Sequence, residues 1–564
     1  MEIFCDFDGT ISNKDLLDII VKELYGIDKI YQLEKELLEN KTDHNSQLKN
    51  TFNDLSCTFE DFVKIIDKNL PNCIDEHFKL FYEKCLFNDV KFYIISAGFK
   101  SLIYHYLPYV NKNNIFSNDV IFQNGISKVK LYSDKLDKRK IVSNIRNPNK
   151  KTIYIGDGIS DFDTINIADT LYVKKGSILE NHCLKNNVIY KTFSNFSDLF
   201  HIFNIQDNIK LLSPGIVRCN QLVLNELKYQ HTFMHRDLCF KHLHKGISDK
   251  VKSVVCTNNN NYTTMLVTGS GTTSMDEVIN CLVGHKNTLF VSNGMFGERW
   301  INIANFYNDK NTYEIKYKWG SKLDIENIIN FIEKNNISYL VLVHCDTSVG
   351  ILNDIEMFGK RLKNYSCKLI VDAVSSFGVV PINMEEYNID ILVTNPNKSI
   401  ASHMGLGIII VNNEFMNNIE ESKCCSYSLN LKRHFVLASK YETCNSVSIS
   451  SMNALNTALH YNYGSLSKIK KMYKNYKTNF NFVYDNLVSM NKKILLSKEI
   501  SSPSIITVLQ EKSNDLITKL KNKNFVVYPC KGHLNDKGYQ ISFYGDDCNK
   551  KNLEKLLNSI ESLS

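Results

Sequence analysis

Three apolar runs in the first third of the chain end in polar residues able to do chemistry. Ile3–Asp6 leads into Asp6-Phe7-Asp8-Gly9-Thr10, which sets two carboxylates two residues apart. Hydrolysis of a phosphate ester through an aspartyl phosphate needs one carboxylate as nucleophile and another as general acid and base. It also needs a hard cation against the phosphoryl charge, and Mg2+ prefers carboxylate oxygens. Gly9 lets the backbone turn its amides toward a phosphate. Phe92–Ser96 ends in a hydroxyl placed to hydrogen-bond a phosphoryl oxygen. Ile153–Asp157 runs into Gly156-Asp157-Gly158-Ile159-Ser160-Asp161, with two more carboxylates for a metal. Between these runs, Asp137-Lys138-Arg139-Lys140-Ile141 offers Lys138, with Lys140 as its rival, to neutralise the nucleophile and the transferring group.

A second constellation lies further along. Thr268-Gly269-Ser270-Gly271-Thr272 follows an apolar run and opens a helix, an arrangement that turns amides and a helix dipole toward a phosphate. Lys368–Asp372 is an apolar strand ending in an acid, and a buried carboxylate needs a cation. Ile391–Thr394 passes through Asn395-Pro396-Asn397 to Lys398, flanked beyond by Gly405-Leu406-Gly407. A buried lysine and an acid on a nearby strand are what pyridoxal phosphate requires: an amine for its aldehyde and a carboxylate at its pyridine nitrogen.

The elements that must position these residues are legible in outline. Short apolar strands alternating with helices predict parallel sheets covered on both faces, with ligands at the carboxyl ends of the strands. Leu17, Ile20 and Leu24 predict a helix stopped at Gly26, within a segment of about residues 12–88 expected to cap the strand ends. Asn124-Gly125 predicts a tight turn between two strands. The register changes near Asp207, and from Ser213-Pro214-Gly215 a longer α/β alternation begins, with Tyr339–His344 among its clearest strands. This divides the chain into residues 1–207 and 208–564. The asparagine run Asn258–Asn261 reads as a surface loop.

The 564 residues are too many for one core, and the balance of 43% hydrophobic to 23% charged residues is that of a globular protein. A net charge of +7, with lysines scattered rather than striped, excludes nucleic acid as a partner. No apolar run is long enough for a membrane span, and the N-terminus has no signal-peptide pattern. The sixteen cysteines lack zinc-site spacing and read as reduced thiols, so the expected location is the cytoplasm.

The first 200 residues or so resemble the haloacid dehalogenase (HAD) superfamily, and within it the phosphoserine-phosphatase-like branch with a helical cap. The four motifs occur in the family's order. The resemblance implies a Rossmann-like domain with Asp6 as nucleophile, Asp8 as acid and base, and Ser96 and Lys138 as phosphate ligands. It implies Mg2+ held among Asp6, Asp8, Asp157 and Asp161.

From about Lys210 onward, Ser213-Pro214-Gly215, His235-Arg236-Asp237, the Gly269–Thr272 turn, Asn293–Arg299, Val371–Phe377 and Asn397-Lys398 resemble the 2-aminoethylphosphonate–pyruvate aminotransferases. These are class V enzymes of fold type I, with large and small α/β domains. The resemblance implies Ser270, Gly271 and Thr272 at the cofactor phosphate and Phe296 stacked on the ring. It implies Thr347 near the ring hydroxyl, Asp372 at the pyridine nitrogen and Lys398 as catalytic lysine. It implies a homodimer in which Thr443 reaches the neighbouring subunit's phosphate, with pyruvate and alanine as the partner pair.

The pattern breaks at Gly538-Tyr539-Gln540-Ile541-Ser542-Phe543-Tyr544-Gly545, where Gln540 stands in place of the family's anion-gripping arginine. A neutral amide attracts an anion far less than a guanidinium. Thr443-Cys444-Asn445-Ser446 also lacks the family's proline. The leading expectation is a bifunctional enzyme: a transaminase of 2-aminoethylphosphonate fused to a phosphatase of a small phosphorylated metabolite. One alternative is transamination of another phosphorylated aldehyde or ketone, with the phosphatase releasing an amino alcohol. Another is an N-terminal phosphonoacetaldehyde hydrolase using a cap lysine such as Lys22 or Lys49, against which Asp8 argues.

Overall fold

The apolar runs that close on Asp6, Ser96 and Asp157 fold as neighbouring strands of one sheet. A computed structural model of the chain describes residues 1–563 except 40, 134–136, 205–208, 258–260, 283–285, 309 and 421–423. Most of the asparagine run and the join near Asp207 therefore lie outside the described residues. The chain divides into two compact units, Met1–Asp207 and Asn208–Ser564.

In the first unit, β1 (Glu2–Cys5), β2 (Lys91–Phe99), β3 (Ile115–Gln123), β4 (Ile126–Lys130), β5 (Thr152–Gly156), β6 (Thr170–Lys174) and β7 (Lys191–Phe193) form one sheet in the order β4-β3-β2-β1-β5-β6-β7. Neighbours pair in parallel except β3 with β4. The central β1 and β5 are buried along their whole length, which accounts for their apolar composition beyond the leading Glu2 and Thr152. Asn124 and Gly125 join β3 to β4 with φ of +52° and +76°, the left-handed pair of a two-residue hairpin turn.

Between β1 and β2 the chain makes helices Leu16–Tyr25, Ile27–Leu38, His44–Phe52, Phe59–Asn69 and Phe78–Phe87. Asp15 caps the first by accepting from the Leu17 and Asp18 amides, and Gly26 ends it at φ +85°. Its buried face is Leu16, Ile20 and Val21, while Leu24 is left 44% exposed. The helical excursion is shorter than residues 12–88. Phe78 and Phe81 pack 5.7 and 6.1 Å from Phe92 of β2, so the fifth helix belongs to the layer covering the sheet.

The second unit begins with β8 (Lys210–Leu211), followed by β9 (Tyr262–Gly269), β10 (Thr288–Ser292), β11 (Thr312–Lys316), β12 (Tyr339–Val343), β13 (Cys345–Asp346), β14 (Ile351–Leu352), β15 (Lys368–Asp372), β16 (Ile389–Thr394) and β17 (Gly405–Asn412). Its large sheet runs β11-β10-β12-β15-β16-β17-β9, parallel up to β16, with β17 antiparallel to both of its neighbours, β16 and β9. A smaller antiparallel sheet contains β18 (Lys493–Ile494), β19 (Ile505–Leu509), β21 (Tyr528–Pro529) and β22 (Gly538–Ser542), while β20 (Phe525–Val526) pairs with β8. Helices Leu466–Ser489 and Lys550–Ser562 bury Phe480, Val483, Leu553 and Leu556 in the same core as Val508 and Ile541 of this sheet.

Candidate active sites

In the first unit the strand ends bring four charged side chains together. Asp6 follows β1, Asp157 and Asp161 follow β5, and Lys138 opens the helix Lys138–Ile145. Lys138 is 1% exposed and its Nζ lies 2.8 Å from Asp6 Oδ1 and 2.7 Å from Asp161 Oδ1. Lys140 is exposed, so Lys138 is the lysine that enters the cluster. Asp6, Asp157 and Asp161 each offer a carboxylate oxygen within 4.8 Å of the others.

The four carboxylates are not equivalent. Asp161 accepts from Lys138, from the Tyr154 hydroxyl at 2.7 Å and from the Asp157 and Gly158 amides at 3.0 Å. That set of donors makes it the group that orients Lys138 and the loop, leaving Asp6 and Asp157 better placed for a cation. Asp157 accepts from Thr10 Oγ1 at 2.5 Å. Asp8, expected among the metal ligands, lies outside the group of mutually close carboxylates: its oxygens take the Ser96 hydroxyl at 3.0 Å and the Leu16 amide at 3.2 Å. Gly9, at φ +73°, passes so close to this group that a Cβ there would lie 2.3 Å from Asp157 Oδ2.

Burial sets the electrostatics. It lifts Asp6 well above the usual carboxylate range, although Lys138 opposes the shift. Burial, with the charge of Asp15, pushes Asp8 up to about 8. Burial and Asp161 push Asp157 to about 7. Burial alone would lower Lys138, but Asp161 and Asp6 outweigh it and hold the ammonium charged. A carboxyl such as Asp8 that keeps its proton near neutrality can donate it to a leaving oxygen. A cavity of about 670 Å3 opens over Asp6 and Asp8, with Asp15, Asp18, Lys22, Glu34 and His44 on its helical wall; Lys49 does not line it.

In the second unit, Asp372 ends β15 and pairs in register with Val393 of β16, whose following turn carries Lys398. The acid and the lysine thus rise from adjacent strand ends. Lys398 is 7% exposed, and its Nζ donates to Ser375 Oγ at 2.7 Å and Thr347 Oγ1 at 3.3 Å. Burial lowers its pKa and favours the neutral, nucleophilic amine. Asp372 accepts from Trp300 Nε1 and the Val374 amide, both at 2.9 Å.

The remaining expected residues surround this pair unevenly. Phe296, on the helix Met295–Phe306, has its ring centroid 5.3 Å from Lys398 Nζ and 4.8 Å from the Arg299 guanidinium. Ser270 and Thr272 are exposed at the N-terminus of helix Gly271–Leu282, where Thr272 accepts from Arg299 at 3.2 Å. Thr443 is buried, and its hydroxyl has no hydrogen-bond partner among the described residues. Gln540 is 2% exposed and spends its amide nitrogen on Thr347 O at 2.7 Å, Ser348 O at 3.0 Å and Thr507 Oγ1 at 3.0 Å. At the position where the resemblance places an anion-gripping arginine, the Gln540 amide donors are thus committed to acceptors of the protein itself.

Several contributors escape sequence reasoning. Asp346, fully buried, accepts from the Phe296 and Gly297 amides at 2.9 and 3.0 Å and so anchors the start of the Phe296 helix. Gly294 makes room for it: a Cβ there would lie 2.4 Å from the Asp346 carboxyl carbon. Trp300, Ser375 and Tyr154 likewise reach the sites through tertiary contacts. The sequence signal among these is Asp346, an acid three residues past the end of the apolar strand Tyr339–Val343.

The class-V aminotransferase family model matches residues 225–533. The chain belongs to that family. A bifunctional phosphonoacetaldehyde hydrolase/aminoethylphosphonate transaminase of Clostridioides difficile (strain 630) is 31% identical over 343 residues, covering 58% of this chain and 52% of the relative. The match thus spans about half the length of that relative. A 2-aminoethylphosphonate–pyruvate transaminase of Bacteroides fragilis (strain YCH46) is 27% identical over 346 residues, covering 60% of this chain and 94% of the relative. Among solved structures, an alanine–glyoxylate aminotransferase from Nostoc sp. superposes with a TM-score of 0.58 at 22% identity, covering 63% of this chain and 95% of that one. The second unit accordingly has the fold type I aminotransferase architecture. Among the described residues, no helix is long and apolar enough to cross a membrane.

Proposed function

We propose that the chain is a bifunctional enzyme whose second unit transaminates 2-aminoethylphosphonate with pyruvate and whose first unit is a Mg2+-dependent HAD-type phosphatase. The observation that carries the transaminase is Lys398, buried against two hydroxyls with Asp372 on the adjacent strand end. These residues fit pyridoxal phosphate, because Lys398 has an amine with a lowered pKa and Asp372 has a buried carboxylate in need of a cation. The names of the Bacteroides and Clostridioides relatives support the phosphonate substrate.

When bound, pyridoxal phosphate supplies an electrophilic carbon and an electron sink. Lys398 would hold it, and its amine would move the proton at the substrate carbon that bears the amino group. Asp372, oriented by Trp300, keeps the pyridine nitrogen protonated. Phe296, Thr347, Ser270, Gly271 and Thr272 are the further residues that would hold the group. Thr443 completes the neighbouring subunit's phosphate site in a homodimer.

In the first unit Asp6 and Asp157 would hold Mg2+, which offsets phosphoryl charge. Asp6 attacks phosphorus, Asp8 protonates the departing alcohol oxygen, and Ser96 and Lys138 hold the phosphoryl oxygens. Asp8 then takes a proton from water, which releases inorganic phosphate from Asp6. The substrate is a small phosphorylated metabolite.

Two specific observations favour other readings of parts of this scheme. Gln540 removes the arginine charge, which favours a different phosphorylated aldehyde or ketone and a phosphatase that releases an amino alcohol. The Clostridioides relative's name and the place of Lys22 on the cavity wall favour a phosphonoacetaldehyde hydrolase in the first unit. The test is to supply phosphonoacetaldehyde and a generic phosphate ester separately with Mg2+. Phosphate from the ester alone supports the phosphatase. Phosphate from phosphonoacetaldehyde, lost in Lys22→Ala and kept in Asp8→Ala, supports the hydrolase.

A further inference from the structure

Lys398 depends on two hydroxyls, Ser375 and Thr347, that come from different segments of the large domain. Each of those residues is itself gripped from the small domain. The Gln540 amide donates to the Thr347 carbonyl at 2.7 Å, and the Tyr544 hydroxyl donates to the Ser375 carbonyl at 2.8 Å. Gln540 lies in β22 and Tyr544 two residues beyond its end, and they are 2% and 0% exposed.

We infer that Gln540 and Tyr544 are a pair of positioning residues that seat the small domain on the two hydroxyl partners of Lys398. This rests on the proposed reading of Lys398 as the cofactor lysine.

The orientation of the Gln540 amide is set by its surroundings. Its nitrogen faces Thr347 O, Ser348 O and Thr507 Oγ1, while the Thr507 hydroxyl gives its own proton to Val349 O at 2.9 Å. All three neighbours are therefore acceptors, and an amide flipped by 180° would set oxygen against oxygen. The donors that would meet a substrate anion are committed to the backbone. At this position the Gln540 amide thus serves as a tie between the two domains. Tyr544 is held on its other side by Tyr476, with ring centroids 6.2 Å apart. Loosening either tie lets Thr347 or Ser375 turn away and changes how the lysine nitrogen is solvated and hydrogen-bonded.

The test uses the full chain loaded with pyridoxal phosphate, as wild type, Gln540→Glu and Tyr544→Phe. Gln540→Glu keeps the shape but opposes three acceptors with an acceptor. Tyr544→Phe removes one hydroxyl and serves if the first variant does not fold. The readouts are the pH midpoint of the visible band of the lysine-bound cofactor, without substrate, and the split between kcat and KM for whichever amine the wild type turns over. The expected result is a midpoint shift of about half a unit or more, with kcat lowered about 5- to 10-fold and KM within about two-fold. A raised KM with kcat retained in Gln540→Glu would make Gln540 a substrate ligand and overturn the inference. Unchanged midpoints in both folded variants would reduce the pair to ordinary core polar groups. A wild-type chain that forms no lysine-bound band would instead overturn the reading of Lys398, and the inference with it.

Discussion

Trp300 donates its indole N–H to Asp372 Oδ2 at 2.9 Å, with both side chains almost completely buried. The bond is made to a carboxylate, so its loss falls in the stronger class of hydrogen-bond effects. Trp300→Phe keeps most of the ring volume and removes the donor. The expected outcome is pyridoxal phosphate affinity weakened about tenfold, read from an absorbance titration of the cofactor-free protein. Asp372→Asn is expected to lower transamination by about 100-fold or more, because a neutral amide does not hold the pyridine nitrogen protonated.

Among the described residues, Lys138 is the cation that pairs with both Asp6 and Asp161, and removing one partner of a buried ionic group costs about 3–5 kcal/mol. Lys138→Met is expected to abolish phosphate release by the first unit and to lower its unfolding midpoint. Lys140→Met, at an exposed position, is expected to leave both near wild type. Release of phosphate from an aryl phosphate, together with urea denaturation, distinguishes the two lysines.

Metal dependence is expected to separate the two proposed activities. Chelation is expected to stop phosphate release, with recovery on adding Mg2+, because Asp6 and Asp157 cannot both carry their charge against a phosphoryl group unaided. Transamination in the same sample is expected to continue unchanged. Parallel assays before and after chelation check both statements.

The C-terminal unit carries an acid-sensitive histidine away from its proposed chemistry. His244, on helix Leu238–Val254, is fully buried, with neither ring nitrogen hydrogen-bonded among the described residues. Burial pushes its pKa down to about 4. Unfolded, it takes a proton near 6.5, so between about pH 6.5 and 4 the unfolded chain binds more protons than the folded one. Stability is therefore complete above about 6.5 and falls as pH drops through that window. His244→Leu is expected to recover about 1–2 kcal/mol at pH 5 relative to its effect at pH 7.5. Both tryptophans of the chain, Trp300 and Trp319, lie in this unit, so their fluorescence during denaturation reports it.

Local signals were sufficient for much of the strand framework. Lys368–Asp372 is a strand over the residues its apolar run predicts, and Asn124-Gly125 makes its turn because both positions tolerate left-handed backbone. The polar residues fall at the carboxyl ends of parallel strands, as the alternation with helices implied. Long-range partners left no local trace. The Trp300 indole and the Gln540 amide find acceptors 72 and 193 positions away, and neither residue type announces its partner. Helix periodicity placed Leu17, Ile20 and Leu24 on one face; Ile20 is buried, but packing turns Leu16 and Val21 inward beside it and leaves Leu24 exposed. The fifth helix looked like part of the cap because only the fold brings Phe78 and Phe81 against Phe92.

The most direct test of the transaminase reading is a single half-reaction. 2-Aminoethylphosphonate is added alone to the protein loaded with pyridoxal phosphate, and the visible band of the lysine-bound cofactor is followed. The predicted result is rapid loss of that band to a shorter-wavelength form, restored by pyruvate, with no lysine-bound band to lose in Lys398→Ala. A band that persists with 2-aminoethylphosphonate yet is lost with another phosphorylated amine would contradict the phosphonate assignment and leave the amino-alcohol reading in its place.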